Sequence, residues 1–298
     1  MKVNLAAVDI GSNGARLLIK SFEEGTPVGV EIRKVYFTRI PLRLGKDVFS
    51  LGKISKQKQQ EMSHMLCAFM HLMKLYGVES YRACATSAMR DAENGRKIVD
   101  RLRKKEGIEL EIIRGEEEAS LLCNNLVEKT DADVGNFAYV DVGGGSTEVS
   151  LLHDGILAES HSYNIGTLRL LSDRVLPETK ERMIADMERV AKRFEQIKIV
   201  GSGGNINKLA KLAGTSGKQT LLVSDLRRIC GELKALSIYE RQSVYNLRED
   251  RADVIVPAAE IFLAIADALG CEQIGVPNIS LADSIVDGIY RTRKEREM

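Results

Sequence analysis

Two stretches, LAAVDIGSNGARLLI at 5–19 and AYVDVGGGSTEVSLL at 138–152, follow one plan: apolar strand, aspartate, aliphatic residue, glycine, small-residue turn, second apolar strand. Internal self-similarity of this kind marks a duplicated supersecondary unit, and it limits the chain to folds made of two related halves. The 298 residues, 44% of them hydrophobic, are enough for two cores of ordinary domain size. A third glycine turn, in IKIVGSGGNINKLA at 197–210, joins an apolar strand to a helix, the kind of junction that holds phosphate at a helix N-terminus.

Runs rich in Val, Ile, Leu and Tyr at 3–9, 15–20 and 28–38, each bounded by Gly, Ser, Asn or Pro, predict three opening strands. Between Ser55 and Tyr76 the residues Met62, Met65, Leu66, Phe69, Met73 and Tyr76 recur at steps of three and four and stop at Gly77, the pattern of a helix with a glycine terminus. A strand at 78–85, a helix at 95–105, a strand at 108–113 and a helix at 116–128 follow. The polar EKTDADVGN segment at 128–136 is the expected domain boundary. Beyond it the pattern predicts strands at 137–142, 147–152 and 156–162, a helix at 179–195, a strand at 197–200, then helices and a short strand near 273–276. The expected domains are 1–128 and 129–298, with the last helix able to pack back on the first.

Glycine permits positive φ and has no Cβ, so consecutive glycines let backbone N–H groups converge on one anion. Gly143, Gly144 and Gly145, with Ser146, form one such candidate loop; Gly11 with Ser12 and Asn13 form a second, and Gly201, Ser202, Gly203 and Gly204 a third. Phosphates at catalytic sites usually come with a divalent cation, and Asp9, Asp141 and Glu148 are suited to bind one directly or through water. The alternative is that Asp9 and Asp141 accept hydrogen bonds from the turns that follow them. RGEEEAS at 114–120 places Glu116, Glu117 and Glu118 where a helix begins, either as an acidic first turn favoured by the helix dipole or with one glutamate acting as general base; the residues alone do not select which. Arg90, after a small-residue turn in ATSAMRDAENG, is a candidate phosphate contact through its planar guanidinium, with Arg39 and Arg43 as weaker ones. His64, Cys67 and His71 share a helical face that also has to be apolar, and no further ligand clusters with them, so a metal site there is not expected.

Several classes are excluded. With 43 Lys plus Arg against 42 Asp plus Glu, the net charge of +1 provides no global field for nucleic acid or an anionic membrane. No apolar run approaches the roughly 18 residues that span a bilayer, and the N-terminus shows no signal pattern, so a cytoplasmic protein is expected. Five scattered cysteines with no CxxC pair read as reduced thiols. P-loop, dinucleotide and nucleophile-elbow motifs do not occur.

With these segments in order, AAVDIGSNGARLLI, LRLGKDV, ATSAMRDAENG, GIELEIIRGEEEA, YVDVGGGSTEVSLL, NIGTLRL, IVGSGGNINKLA and RADVIVPAAEIFLAIADALG, the chain resembles the exopolyphosphatase and guanosine pentaphosphate phosphohydrolase family, a branch of the actin, hexokinase and Hsp70 superfamily. The resemblance covers nearly the whole chain. It implies an α/β fold of two actin-like (ribonuclease H-like) domains flanking a cleft, each a mixed sheet with helices on both sides. Carried over to this sequence, the catalytic glutamate falls on Glu118, the acidic residues that organise magnesium and water on Asp141 and Glu148, and the phosphate-contacting arginine on Arg90. Gly143, Gly144, Gly145 and Ser146, and Asp9, Gly11, Ser12 and Asn13, are the implied phosphate-facing groups.

The activity implied is magnesium-dependent release of terminal orthophosphate from inorganic polyphosphate or guanosine pentaphosphate, by a cytoplasmic homodimer without nucleic-acid or membrane partners. The alternatives are an ATP-dependent phosphotransferase and a non-catalytic sensor of guanosine tetra- or pentaphosphate. Three departures from the family pattern stand out: no C-terminal helical extension, Gly14 where a small hydroxyl is usual, and Ala282, Asp283 and Ser284 where an Arg-Glu-Gly triplet is common.

Overall fold

The computed structural model describes residues 2–26, 29–129, 135–215, 220–277 and 279–297. In chain order the elements are β1 (Lys2–Ile10), β2 (Ala15–Thr26), β3 (Gly29–Ile40), α1 (Leu44–Leu51), α2 (Lys56–Leu75), β4 (Val78–Ala85), α3 (Ser87–Asp91), α4 (Gly95–Glu106), β5 (Leu110–Ile112) and α5 (Gly115–Lys129). Then come β6 (Asn136–Val142), β7 (Thr147–His153), β8 (Ile156–Tyr163), α6 (Thr167–Leu171), α7 (Pro177–Arg193), β9 (Lys198–Ser202) and α8 (Gly204–Leu212). The chain closes with β10 (Thr220–Leu222), α9 (Val223–Lys234), α10 (Ile238–Tyr245), α11 (Glu249–Ala252), α12 (Ile255–Leu269), β11 (Gln273–Gly275) and α13 (Leu281–Glu297).

Two compact units result, one formed by 1–114 with 281–298 and the other by 115–280. Their sheets have the same order, β3-β2-β1-β4-β5 in the first and β8-β7-β6-β9-β11 in the second, where β10 adds an edge. In each, the first three strands are antiparallel neighbours and the fourth lies parallel to the first. The duplicated sequence pattern is thus a duplicated topology. The division falls before α5, which packs on β7 and β8, and so earlier than the 128–136 segment, of which residues 130–134 lie outside the described residues. Residue 28, the first of the predicted third strand, lies outside them too.

The first unit is built around β1, whose residues are buried from Leu5 onward because it lies between β2 and β4. Helix α2 starts where Ser55 Oγ accepts the Lys58 N–H, and it ends at Gly77 with φ of 60°, a conformation open to glycine. Its stripe of Met62, Met65, Leu66, Phe69 and Met73 is buried as the spacing predicts. Helix α1 was not legible in the sequence: it follows Pro41 and is entered through Arg43 in the left-handed region, φ 53°.

Helix α13 completes the first unit by lying on β1, β2 and β4. Phe22 stacks on Tyr290 with ring centroids 4.3 Å apart, and Lys20 Nζ lies 3.0 Å from Asp283 Oδ1 and 2.8 Å from Asp287 Oδ1, all three side chains nearly buried. Burial by itself lowers the Lys20 pKa, but the two carboxylates outweigh it and hold the ammonium above its ordinary value. The departure at Asp283 therefore has a structural use: its carboxylate is one of the two counter-charges of Lys20.

In the second unit the sheet packs on α7 through Met183, Met187 and Val190, at i, i+4 and i+7, and on α12, which is apolar nearly all round. Each such side chain fully buried contributes roughly 1.5–3 kcal/mol. Among the described residues no helix is long and apolar enough to cross a membrane.

Candidate active site

The strand register of the second unit puts four polar residues in one line. Asp141 on β6 is directly opposite Glu148 on β7 and, on its other side, Ser202 on β9; Glu148 is opposite Ser162 on β8. Directly opposed residues project from the same face of a sheet, so Ser202, Asp141, Glu148 and Ser162 form a polar row. Ser202 Oγ donates to Asp141 Oδ1 at 2.7 Å, and Ser162 Oγ donates to Glu148 Oε1 at 2.9 Å. Each carboxylate is held by a serine from the flanking strand, β9 for Asp141 and β8 for Glu148.

Helix α5 packs on β7 and β8. Of the three glutamates in its first turn, Glu116 and Glu117 are exposed and Glu118 is buried. Glu118, Asp141 and Glu148 each bring a carboxylate oxygen within 4.8 Å of the others. At such a separation each like-charged pair repels by roughly 3 kcal/mol for an effective dielectric of about 20, an expense that a bound cation reverses. The donor set is oxygen only, which suits a hard divalent ion of the magnesium type.

The glycine turn between β6 and β7 closes with the Gly143 N–H on the Ser146 carbonyl, 2.9 Å. Its carbonyls are then taken up by α6: Thr167 N–H donates to Gly143 O at 3.0 Å, Leu168 N–H to Gly144 O at 2.8 Å, and Arg169 Nε to Gly145 O at 2.7 Å. With the carbonyls turned toward α6, the groups this loop can offer an anion are its amides.

The first unit repeats the device. Gly11 N–H donates to Gly14 O at 3.1 Å, and the start of α1 captures the turn's carbonyls, Arg43 N–H on Asn13 O at 3.1 Å and Gly45 N–H on Ser12 O at 2.9 Å. Ser12 Oγ is 2.8 Å from Ser87 Oγ, which ties the turn to the N-terminus of α3. The electrostatics differ, however. Opposite Asp9, at the position that Glu148 holds in the second hairpin, stands Arg16, and the two form an ion pair. One hairpin therefore carries a neutralised aspartate and the other a pair of carboxylates. Arg90 lies in the last turn of α3, where one guanidinium nitrogen donates to the Ile113 carbonyl at 2.8 Å.

At the third turn the glycines have separate reasons. A Cβ on Gly201 would sit 3.0–3.2 Å from Ile206, Phe262 and Ile274, so this glycine answers to core packing. Gly203 has φ of 95°, and a Cβ there would lie 2.9 Å from Asp141 Oδ1. The turn thus touches the carboxylate group directly.

Ser162 was not singled out by the sequence, because its role appears only once the register of β8 is known. Ser162→Ala is expected to lower kcat about tenfold with KM nearly unchanged, since one lost hydrogen bond to a charged group is worth roughly 1.5–3 kcal/mol; Ser162→Thr should restore most of it. Equal loss in both variants would mean that the hydroxyl does not position Glu148.

Residues 26–292 match the Ppx/GppA phosphatase family. The chain belongs to that family. Exopolyphosphatase 1 of Mycobacterium tuberculosis is 27% identical over 307 residues, covering 95% of this chain and 87% of that protein. Guanosine-5'-triphosphate,3'-diphosphate pyrophosphatase of Aeromonas hydrophila is 23% identical over 297 residues, covering 95% of this chain and 59% of the longer relative. An exopolyphosphatase structure from Cytophaga hutchinsonii superposes with a TM-score of 0.84 at 21% identity, covering 97% of this chain and 98% of that one. The fold of this Ppx/GppA member is accordingly the two-unit α/β fold of the solved Ppx/GppA structures, and the family is one of hydrolases.

Proposed function

We propose that this Ppx/GppA member is a magnesium-dependent phosphohydrolase that releases terminal orthophosphate from a phosphoanhydride substrate, inorganic polyphosphate or guanosine pentaphosphate. The observation that carries the reading is the carboxylate group Glu118, Asp141 and Glu148 at the end of the same hairpin whose glycine turn has its carbonyls tied back. Carboxylates and anion-binding amides have opposite preferences, and a phosphate with its cation satisfies both.

Asp141 and Glu148 are the residues that would hold magnesium, which when bound supplies positive charge to offset that on the phosphoryl oxygens. In this reading Glu118, buried and on a separate helix, is the base that orients and deprotonates the attacking water. On the same reading the amides of Gly144 and Gly145 and the hydroxyl of Ser146 bind phosphoryl oxygens, with the Gly143 amide closing the turn on Ser146, and the Gly203–Gly204 end of α8 adds donors beyond Ser202. Within the first unit, Ser12, Asn13 and Arg90 are the phosphate contacts in this reading, with Gly11 closing the turn through its amide and Asp9 fixed by Arg16. The reading includes a homodimer acting in the cytoplasm on a soluble polyanion.

Purified protein with magnesium should release orthophosphate, without any second acceptor, from at least one of tripolyphosphate, long-chain polyphosphate and guanosine pentaphosphate, and a chelator should stop it. Silence on all three would overturn the hydrolase reading in favour of a sensor.

A further inference from the structure

The sheet of the first unit has one long edge. Among the described residues β3 is an outer strand, 12 residues in length, whereas β5 at the opposite edge has 3 residues. Between Val30 and Lys34 the pairing with β2 is regular, with Val30 opposite Glu24, Ile32 opposite Phe22 and Lys34 opposite Lys20. Opposed residues share a face. Phe22 and Lys20 meet Tyr290, Asp283 and Asp287 of α13, so Val30, Ile32 and Lys34 project on the α13 side. Past the register shift that skips Val35, Phe37 joins them: it is opposite Leu18, and Lys34 Nζ lies 5.5 Å from its ring centre. Glu31 and Arg33 alternate with these residues onto the other face, where Arg33 Nε donates to Glu31 Oε1 and Nη2 to Oε2, both at 2.7 Å.

Helix α13 lies on β1, β2 and β4, and the apolar residues of β3 are left open to solvent: Val30 is 41% exposed, Ile32 51%, Val35 37% and Phe37 48%. A long edge with apolar side chains is a template for another strand, and soluble proteins ordinarily blunt such edges with charge, proline or a covering element. Here the charges are spaced to fit a second copy of β3. In an antiparallel pair related by a two-fold axis every side chain keeps its face, so the axis has to pass through a residue paired with its own copy. On Glu31, Arg33 or Lys34 the axis would set like charges against each other, and on Val30 only Gly29 and Glu31 would pair beside it. On Ile32 the pattern closes. Ile32 meets Ile32, Glu31 and Arg33 each meet the opposite charge, and Val30 lies against the aliphatic stem of Lys34.

We propose that β3 is the surface through which two copies of this chain form a dimer, pairing antiparallel about Ile32 and joining their first-unit sheets edge to edge. The inference rests on the homodimer of the proposed function and gives that dimer its surface. Each copy uses its long edge in the same contact, so the assembly closes at two and leaves the short β5 at either end of the joined sheet. The guanidinium and carboxylate that pair within one strand become part of a group of four charges whose signs alternate across the axis.

The test is the dimer dissociation constant of the full chain by sedimentation equilibrium, read with substitutions at these surface positions. Glu31→Arg and Arg33→Glu each turn both cross-strand charge contacts into like-charge contacts. Each should raise the dimer Kd at least tenfold, equivalent to roughly 1.4 kcal/mol, with far-ultraviolet circular dichroism unchanged. Ile32→Lys should act in the same direction by placing two ammonium groups on the axis. Mixing the Glu31→Arg chain with the Arg33→Glu chain should restore association to within about threefold of the parent, as a heterodimer, because every cross-strand charge is then matched. Damage confined to one chain would not be cured by the other. A Kd within twofold of the parent in all three variants, or no association in the mixture, would overturn the interface and leave the homodimer to another surface. A parent that stays monomeric would overturn the interface and the homodimer together. Both results leave the hydrolase reading to the phosphate-release assay, which decides it separately.

Discussion

Glu118→Gln is expected to cut kcat for orthophosphate release by about two to four orders of magnitude, the usual contribution of a positioned general base. The substitution keeps the shape of a side chain buried in the first turn of α5, so far-ultraviolet circular dichroism and thermal midpoint should match the parent. Removing one of three neighbouring carboxylates also relieves repulsion, so substrate binding should persist. Turnover within tenfold of the parent would show that the base lies elsewhere, and Glu116 and Glu117, both exposed, are poor replacements.

Gly166→Ala should be nearly as damaging for a different reason. The backbone of Gly166 is extended, with φ of −151°, so alanine is tolerated there conformationally. Its Cβ, however, would lie 2.5 Å from the backbone N and C of Gly145 and 2.6 Å from C of Gly144. Neither partner is a movable side chain, so the glycine turn and the start of α6 have to separate, breaking the hydrogen bonds that hold the turn's carbonyls. A displacement of about 1 Å at positioning groups can lower rates about 100-fold. The loss should appear in kcat, through the displaced turn, and in KM, through the weakened anion contacts that the proposed function gives its amides. Full activity in this variant would mean that the turn's position is irrelevant to catalysis.

The parts of the site that the sequence exposes are those encoded in consecutive residues. Asp141 and Glu148 were legible because both flank one glycine turn, and because that turn repeats the one after Asp9. From the residues alone Glu118 was legible only as one of three; the family resemblance singled it out, and helix α5 buries it while leaving Glu116 and Glu117 outside. Ser162 gave no signal at all: a serine in a strand is ordinary, and only the strand register gives it a partner. The same limit applies to Asp9. Its resemblance to Asp141 was plain in the sequence, whereas its neutralisation by Arg16 depends on the pairing of β1 with β2. In the fold, strands and helices with strong periodicity appeared within a few residues of expectation. Helix α1 did not, since a proline and a left-handed arginine obscure its start.

The order in which the units are spelled out along the chain has a consequence for biosynthesis. The second unit is one uninterrupted stretch, but the first is interrupted, and its sheet waits for α13. Until residues beyond 280 leave the ribosome, Phe22 has no Tyr290 to stack on and Lys20 faces no carboxylate. Nascent chains therefore pass through a stage in which the half made last is finished while the half begun first still displays an apolar sheet face, the condition under which newly made proteins rely on chaperones.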